Sequence, residues 1–134
     1  MKYFLALLLT LLSACSQSDE EAVVFTSLGA TPPRELSNEL AIAQVSGIAA
    51  ESGFKLGSTA SPIVGSGMLA WYKDSNGTAI RITRQEPSPC LQISFDGPNT
   101  SGARASASKA ASAIQTRLGQ DLNWGMNLRC PSAP

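Results

Sequence analysis

Two short segments with the composition of β-strands, joined by an Asn-Gly pair, constrain the fold more than any other feature. Residues 68–73 and 78–84 flank the sequence DSNG at 74–77. Asn-Gly favours a tight turn, because both of its residues tolerate positive φ. Ile80 and Ile82 alternate with polar residues, which is typical of a strand with one buried and one solvated face. The pattern predicts a β-hairpin in an antiparallel sheet.

Two later segments alternate in the same way. The first follows a proline-rich break at 87–89, and the second lies near the C-terminus. Both predict strands. Their apolar positions are Leu91, Ile93 and Phe95 in the first segment, and Trp124, Met126 and Leu128 in the second.

The first helix is predicted to begin at Thr31-Pro32-Pro33 and to end at Gly53. A threonine cap before a proline is a favourable start, since proline lacks only an N–H that would be unpaired there. Glycine suits a left-handed helix end. The predicted apolar stripe contains Leu36, Leu40, Ala43 and Gly47, widened by Ile42, Val45 and Ala49.

The second helix is predicted over residues 101–118. Asn99 or Thr100 provides the cap, and Gly119 ends the helix. Its stripe has helical spacing and consists mostly of small residues, which permit close approach of neighbouring elements. The stripe residues are Ala103, Ala107, Ala110, Ala111, Ile114 and Leu118.

The element order helix, three strands, helix, strand predicts an α+β fold. Two helices covering one face of a small, mainly antiparallel sheet form a two-layer sandwich. We place this single globular domain at residues 32–134, a length that supports one modest core. The segment 57–67 is rich in turn residues and is predicted to be a loop.

The N-terminus has the organisation of a secretory signal. Lys2 supplies a positive start, and residues 3–12 form an almost unbroken apolar segment. That segment is short of the roughly 20 apolar residues that a transmembrane helix needs. Small residues follow at Ser13 and Ala14, as a cleavage site requires. We predict that residues 1–14 are a cleaved signal peptide.

The sequence Leu12-Ser13-Ala14-Cys15 resembles the lipobox of bacterial lipoprotein precursors. The resemblance implies cleavage between Ala14 and Cys15, a diacylglycerol on the Cys15 sulfur and usually a third acyl chain on its amine. Several chains anchor a protein firmly, because each buried methylene contributes about 0.8 kcal/mol. Aspartate after the lipidated cysteine commonly retains such proteins in the inner membrane, so Ser16 implies the outer membrane, facing the periplasm.

Residues 15–31 are predicted to be a flexible tether between the lipid and the domain. They mix polar, acidic and proline positions without a sustained period. The three carboxylates at 19–21 are typical of a solvated spacer. Within this segment, residues 22–25 have the composition of a short edge strand.

Cys90 and Cys130 remain once the resemblance assigns Cys15 to lipid. They form an even pair in an exported protein, and disulfides persist in oxidising compartments. We therefore predict a Cys90–Cys130 bond. The bond would close a loop of roughly 40 residues. By reducing the entropy of the unfolded chain, it would raise the free energy of unfolding by about 4 kcal/mol.

The predicted disulfide restricts the last strand. If that strand runs parallel to the strand of Leu91, the cysteines are several residues apart at about 3.3 Å each, too far for a disulfide. They also fall on opposite faces of the sheet. Either the last strand runs antiparallel to the strand of Leu91, or one cysteine lies in a bend outside the ladder.

Composition excludes several classes of function. The chain has 10 basic and 10 acidic residues, and removal of Lys2 with the signal leaves 9 and 10. A nucleic-acid partner or an electrostatic membrane binder normally leaves a basic footprint, which is absent from the sequence. The chain has no histidine, the usual general base and the commonest zinc ligand. We predict no enzymatic activity, no cofactor and no metal.

Two functions of different classes are compatible with these features. The first is a lipid-anchored, non-catalytic envelope lipoprotein that binds or scaffolds another envelope component, with Trp71, Tyr72 and Trp124 as candidate contacts. The second is an inhibitor or immunity-type protein that blocks a toxin or lytic enzyme, with the loop 87–90 in its cleft. In both, the chain meets the membrane through lipid on Cys15 and binds a protein partner.

Overall fold

A six-stranded antiparallel sheet and two helices form the α+β fold seen in a computed structural model, which describes residues 22–58, 67–85 and 87–131. In chain order the elements are β1 (Val23–Thr31), α1 (Asn38–Glu51), β2 (Lys55–Ser58), β3 (Met68–Lys73), β4 (Ala79–Arg84), β5 (Leu91–Gly97), α2 (Ser101–Thr116), a π-helical turn (Arg117–Asp121) and β6 (Gly125–Asn127). Neighbouring strands follow the order β2-β3-β4-β5-β1-β6. The α+β class agrees with the prediction, although β2 was not predicted and β1 was expected only as a short edge strand at 22–25.

The predicted hairpin is confirmed as β3 and β4, but its turn differs from the expected one. Gly77 alone in the turn has a positive φ, at +81°. The Asp74 carboxylate accepts hydrogen bonds from the amides of Asn76 and Thr78, at 3.0 and 2.9 Å. The Gly77 amide donates to the Asp74 carbonyl. Asp74 therefore organises the turn and only the glycine needs left-handed freedom.

Helix α1 begins later than predicted. Ser37 is its cap and accepts a hydrogen bond from the Leu40 amide at 3.2 Å. The predicted start at Thr31-Pro32-Pro33 is wrong because Thr31 is the last residue of β1, where it pairs with Gly125. A cap motif cannot begin a helix at a residue that a strand already uses.

The later start changes the face that α1 buries. Leu40 is 57% exposed, and Ala43 and Gly47 are also exposed, so the predicted stripe is wrong at these positions. Leu36 and Ile42 are partly buried against the core. The fully buried residues are Ala41, Val45, Ile48 and Ala49.

The predicted end of α1 at Gly53 is confirmed. Gly53 has φ +89°. Its amide donates to the Ala50 carbonyl, and the Phe54 amide donates to the Ala49 carbonyl. These two bonds form a Schellman motif, which satisfies the last carbonyls of the helix.

Helix α2 matches its prediction along its buried face. Thr100 is the cap and accepts from the Ala103 amide at 3.2 Å. All six predicted stripe residues, from Ala103 to Leu118, are buried. Gly119 does not end the helix, because the chain continues through the π-helical turn and leaves it at Asn123, whose φ is +57°.

The predicted tether is wrong for residues 23–31. They form β1, which pairs with β5 on one side and β6 on the other, so it is not an edge strand either. Leu28 and Ala30 are buried on its helix-covered face. Small and polar residues on both sides of these two positions hide the strand period in the sequence. The predicted domain start at residue 32 is therefore too late, because β1 already belongs to the fold; residues before 22 lie outside the described part of the chain.

Residues 57 and 58 of the predicted loop belong to the edge strand β2. Ile63 and Val64, its expected apolar anchors, lie outside the described residues. Helix α1 packs near β2 and β3, and α2 packs against β1 and β5. Both helices meet one face of the sheet, whose buried residues are Leu28, Ala30, Ala70, Tyr72, Ile80, Ile82, Leu91, Ile93 and Phe95.

The last strand is shorter than predicted. The chain after it brings Cys130 to Cys90 by a path that the sequence did not predict. β6 and β5 run in the same direction, but β1 lies between them. After β6 the chain bends and crosses the sheet, where the Cys130 amide donates to the Gln92 side chain at 3.1 Å. Leu128, in this bend, is 81% exposed. The predicted alternation therefore stops at Met126.

The Cys90–Cys130 disulfide is present in the structure, with its Cα atoms 5.7 Å apart. Both cysteines lie outside regular strands: Cys90 precedes β5, and Cys130 follows the bends after β6. Of the two geometries left open by the sequence, the structure has the second. The alternation of faces along a strand does not apply to residues outside the ladder, so the expectation that the two cysteines lie on opposite faces no longer holds.

Gly29 makes this crossing feasible. A Cβ on Gly29 would lie 2.5 Å from the Cys130 amide nitrogen and closer still to the Arg129 carbonyl carbon. Backbone atoms cannot swing aside as a flexible side chain can. Position 29 therefore accepts only glycine while the C-terminal segment lies across β1.

We predict that Gly29→Ala lowers the free energy of unfolding by about 3 kcal/mol or more, because overpacking here displaces backbone. Gly47→Ala is the matched control, since a Cβ at this exposed helical position meets nothing within 4 Å. That change should stabilise the protein by about 0.5–1 kcal/mol. Urea unfolding of both variants measures the difference, and equal effects would contradict the close approach.

We also predict that the Cys90→Ala/Cys130→Ala variant loses about 4 kcal/mol of stability, the chain-entropy value for a 40-residue loop. Denaturant unfolding under non-reducing conditions measures this loss. Reducing agent should destabilise the unmodified protein and leave the double variant unchanged. Detection of two free thiols in the oxidised, unmodified protein would show that the bond does not form.

Candidate functional site

The predicted lipidation site, Leu12-Ser13-Ala14-Cys15, lies outside the described residues. The structure bears on it through the position of β1. Val23, the first residue of β1, is eight positions after Cys15. A cleavage before Cys15 would therefore leave every described element in the mature chain.

Two of the three predicted contact residues are buried, which overturns their predicted role. Tyr72 is 1% exposed and Trp124 is 4% exposed. The Tyr72 hydroxyl lies 2.6 Å from the Ser46 hydroxyl, and the Trp124 indole N–H donates to the Gln44 side chain at 3.0 Å. Each polar atom thus has a partner inside the domain, as buried aromatic residues require.

Trp71 is the candidate that remains accessible. It precedes Tyr72 in the same strand, so its side chain points to the opposite face of the sheet. Its ring lies over the backbone of Gly57, where a Cβ would come within 2.6 Å of the ring. The absence of a side chain at position 57 lets Trp71 lie flat at the edge of the sheet.

The face of the sheet opposite the helices is organised in rows of paired residues. We call it the open face. One row crosses five strands near the β3–β4 turn. A second row on the same face lies two residues further from that turn along β3, β4 and β5. The first row is Lys55, Lys73, Ala79, Asp96 and Val24; the second contains Trp71, Arg81, Ser94 and Ser27.

Lys55, Lys73, Trp71 and Arg81 form a cationic and aromatic cluster on the open face, which we call the Trp71 patch. Lys73 Nζ lies 5.8 Å from the Trp71 ring centroid, within the range of a cation–π contact. Arg81 is paired with Asp96, Nε to Oδ2, at 2.7 Å. The two lysines are exposed.

An open cavity of about 400 Å³ adjoins the Trp71 patch. The side chains of Leu56 and Asp74 help to line it. Leu56 is 52% exposed, whereas the Asp74 carboxylate accepts hydrogen bonds from its own turn. An exposed surface with aromatic, aliphatic and cationic groups is suited to binding.

The sequence identified Trp71 but not its cationic neighbours. Lys73 and Arg81 share its face by strand alternation, so the hairpin pattern contained that signal. Lys55 carried none, because β2 lay in a segment predicted as a helix end and loop. The net charge of the whole chain is zero and therefore gives no sign of this local group of cations.

Other chemistry is limited within the described part of the chain. No three His, Cys, Asp or Glu side chains are grouped there as metal ligands. Among the helices of residues 22–131, as far as they are described, none has the length and apolarity to cross a membrane.

No protein-family model, curated protein or solved structure matches this chain.

We predict that ionisation of Tyr72 lowers the free energy of unfolding at alkaline pH. Burial raises the pKa of the Tyr72 phenol above its ordinary value of 10.0, and the Ser46 hydrogen bond offsets part of that rise. A raised pKa means that the fold favours the neutral phenol, so this contribution is complete below pH 10 and is lost as the pH rises through the folded pKa.

Tyr72 and Tyr3 are the tyrosines of the sequence, so a chain that starts at Cys15 reports Tyr72 alone. Ultraviolet titration of the phenolate should give a midpoint above 10 in the folded chain and an ordinary midpoint in urea. Ser46→Ala removes the opposing hydrogen bond and should raise the folded midpoint further. A folded midpoint at or below the urea value would contradict this burial.

Proposed function

We propose that this chain is a lipid-anchored lipoprotein of the bacterial cell envelope that binds another envelope component and does not catalyse a reaction. The observation that carries the proposal is the position of the lipobox-like sequence ending at Cys15, eight residues before Val23, where the first described strand begins. Cleavage before Cys15 removes no described element. The lipid then provides the attachment, and the domain provides the binding surface.

The disulfide supports an exported location. Cys90 is 4% exposed and lies within bonding distance of Cys130. Such bonds are stable in the periplasm and rare in the reducing cytoplasm. By resemblance, Ser16 favours the outer membrane, with the domain facing the periplasm.

The non-catalytic part of the proposal is supported by the composition of the exposed surface. The chain has no histidine. Tyr72, a potential acid or base, is buried and bonded to Ser46. The exposed groups of the Trp71 patch are lysines and an indole; of the carboxylates beside them, Asp96 is paired with Arg81 and Asp74 accepts hydrogen bonds from its own turn. These groups recognise a surface and do not activate water.

Inhibition of a toxin or lytic enzyme is the second candidate, supported by the loop 87–90. The Ser88 amide donates to the Gln85 carbonyl, and the Cys90 amide donates to the Ser88 hydroxyl at 3.2 Å. The disulfide holds the end of this loop, and Pro87 and Pro89 are exposed. A constrained loop of this kind inserts into a cleft at low entropic cost.

We predict that the mature chain, expressed in a Gram-negative host, begins at Cys15 and carries diacylglycerol. Mass spectrometry of the N-terminal peptide and membrane fractionation measure this. Cys15→Ala should abolish the modification and the mature N-terminus, whereas Cys90→Ala/Cys130→Ala should preserve both. An unmodified Cys15 thiol or a different mature N-terminus would refute lipidation.

Crosslinking of the lipidated protein in membranes distinguishes the two candidate functions. Recovery of an envelope assembly supports the first function, and tight recovery of a toxin or lytic enzyme supports the second. Pro87→Gly/Pro89→Gly should weaken only the second complex, because both residues are exposed loop positions. Substrate turnover by purified protein without a captured partner would contradict both.

A further inference from the structure

The end of the sheet at which the chain enters the domain is also the end that carries the two exposed lysines. Pairing connects Val24 to Asp96, Asp96 to Ala79, and Ala79 to Lys73 and hence Lys55. All five residues therefore lie in one row of the open face. We propose that this end of the open face, with Trp71, rests on the headgroup layer of the membrane that holds the lipid on Cys15. The inference depends on the proposed lipidation.

The length of chain between the lipid and the sheet supports this orientation. From Cys15 to Val23 there are eight residue steps, which span at most about 28 Å when fully extended. The corrected start of the domain thus halves the predicted tether. Val23, next to this row, therefore lies within about 28 Å of the residue that would carry the lipid.

The exposed side chains at this end suit an interface between water and lipid. Val24 is 64% exposed and Leu56 is 52% exposed. Trp71 is half-buried at the edge of the open face. Tryptophan is favoured at the headgroup level of membranes, where its ring is apolar and its N–H stays wet. The exposed side chains of Val24, on the open face, and Leu56, in the edge strand β2, add apolar contact area that water does not favour.

The charges at this end favour anionic headgroups. Lys55 and Lys73 are exposed, and a lysine close to an anionic lipid surface is attracted to it. Asp96 is 8% exposed and pairs with Arg81, and Asp74 accepts hydrogen bonds from its own turn. The two lysines therefore dominate the accessible charge of this row. Their long apolar stems reach past the sheet and place the ammonium groups in the headgroup layer.

The connecting chain does not provide this attraction, because residues 19–21 are acidic. Contact with anionic lipid thus has to come from the folded domain. The orientation leaves the loop 87–90 and the disulfide at the opposite end of β5, directed away from the bilayer. That end is the one available to a protein partner.

Brominated lipids test the contact through Trp71 fluorescence. The lipidated protein is placed in nanodiscs of phosphatidylethanolamine and phosphatidylglycerol, with bromine near the headgroup end of the acyl chains. We expect quenching of about a third or more of the Trp71 emission. Trp124, which is 4% exposed, supplies an unquenched background, and Trp71→Phe should remove the quenched component.

Charge-matched variants test the role of the lysines. Lys55→Gln/Lys73→Gln should at least halve the quenching, and the loss should be reproduced in discs without phosphatidylglycerol. Lys109→Gln/Arg129→Gln changes two exposed cations elsewhere and should leave the quenching unchanged. Circular dichroism of each variant confirms that it is folded.

Three results overturn the inference in distinguishable ways. A lipidated Cys15 without quenching of Trp71 refutes the orientation but leaves the lipoprotein proposal intact. Absence of lipid on Cys15 refutes both. Protection of Lys55 and Lys73 from acetylation only when a protein partner is added, and not by the disc, assigns the patch to an acidic protein surface in place of the membrane.

Discussion

The close approach of the C-terminal backbone to Gly29 is the contact on which the rest of the architecture depends. β1 occupies the position between β5 and β6, so Cys130 reaches Cys90 only by crossing the open face of β1. A side chain at position 29 would block that path. The same strand sets where the domain begins at Val23. One glycine thus links the first strand, the last strand and the disulfide.

The alternation of a β-strand decides which aromatic residue is available for binding. Trp71 and Tyr72 are neighbours in β3, yet the pleat directs them to opposite faces. Tyr72 is committed to the core through its contact with Ser46, and Trp71 stays accessible beside Lys73. A set of aromatic contacts proposed from sequence therefore reduces to one residue on a cationic surface.

The position of β1 also changes what the N-terminal motif means for the protein. A tether that ended at residue 31 would let the domain move freely in the periplasm. With a strand from Val23, the lipid on Cys15 would hold one end of the sheet near the bilayer. Anchoring and orientation would then come from the same short segment. The proposed membrane contact and the proposed partner surface would occupy opposite ends of β5.

Local signals in the sequence were sufficient for the elements whose stabilising contacts are local. The hairpin, the Gly53 helix end and the face of α2 from Ala103 to Leu118 were predictable, because turns, caps and helical spacing act within a few residues. The start of α1 was not predictable in this way. Thr31 has cap chemistry, but pairing with Gly125 places it in the sheet.

By itself the sequence determined the α+β class, the candidate lipid cysteine and the pairing of Cys90 with Cys130. Only the tertiary structure decided that residues 23–31 are a strand, that Lys55 joins Lys73 and Trp71, and how the cysteines meet. These features depend on contacts between residues far apart in the chain. A local pattern cannot encode which strands become neighbours, because that choice follows from burying one shared face of the whole sheet.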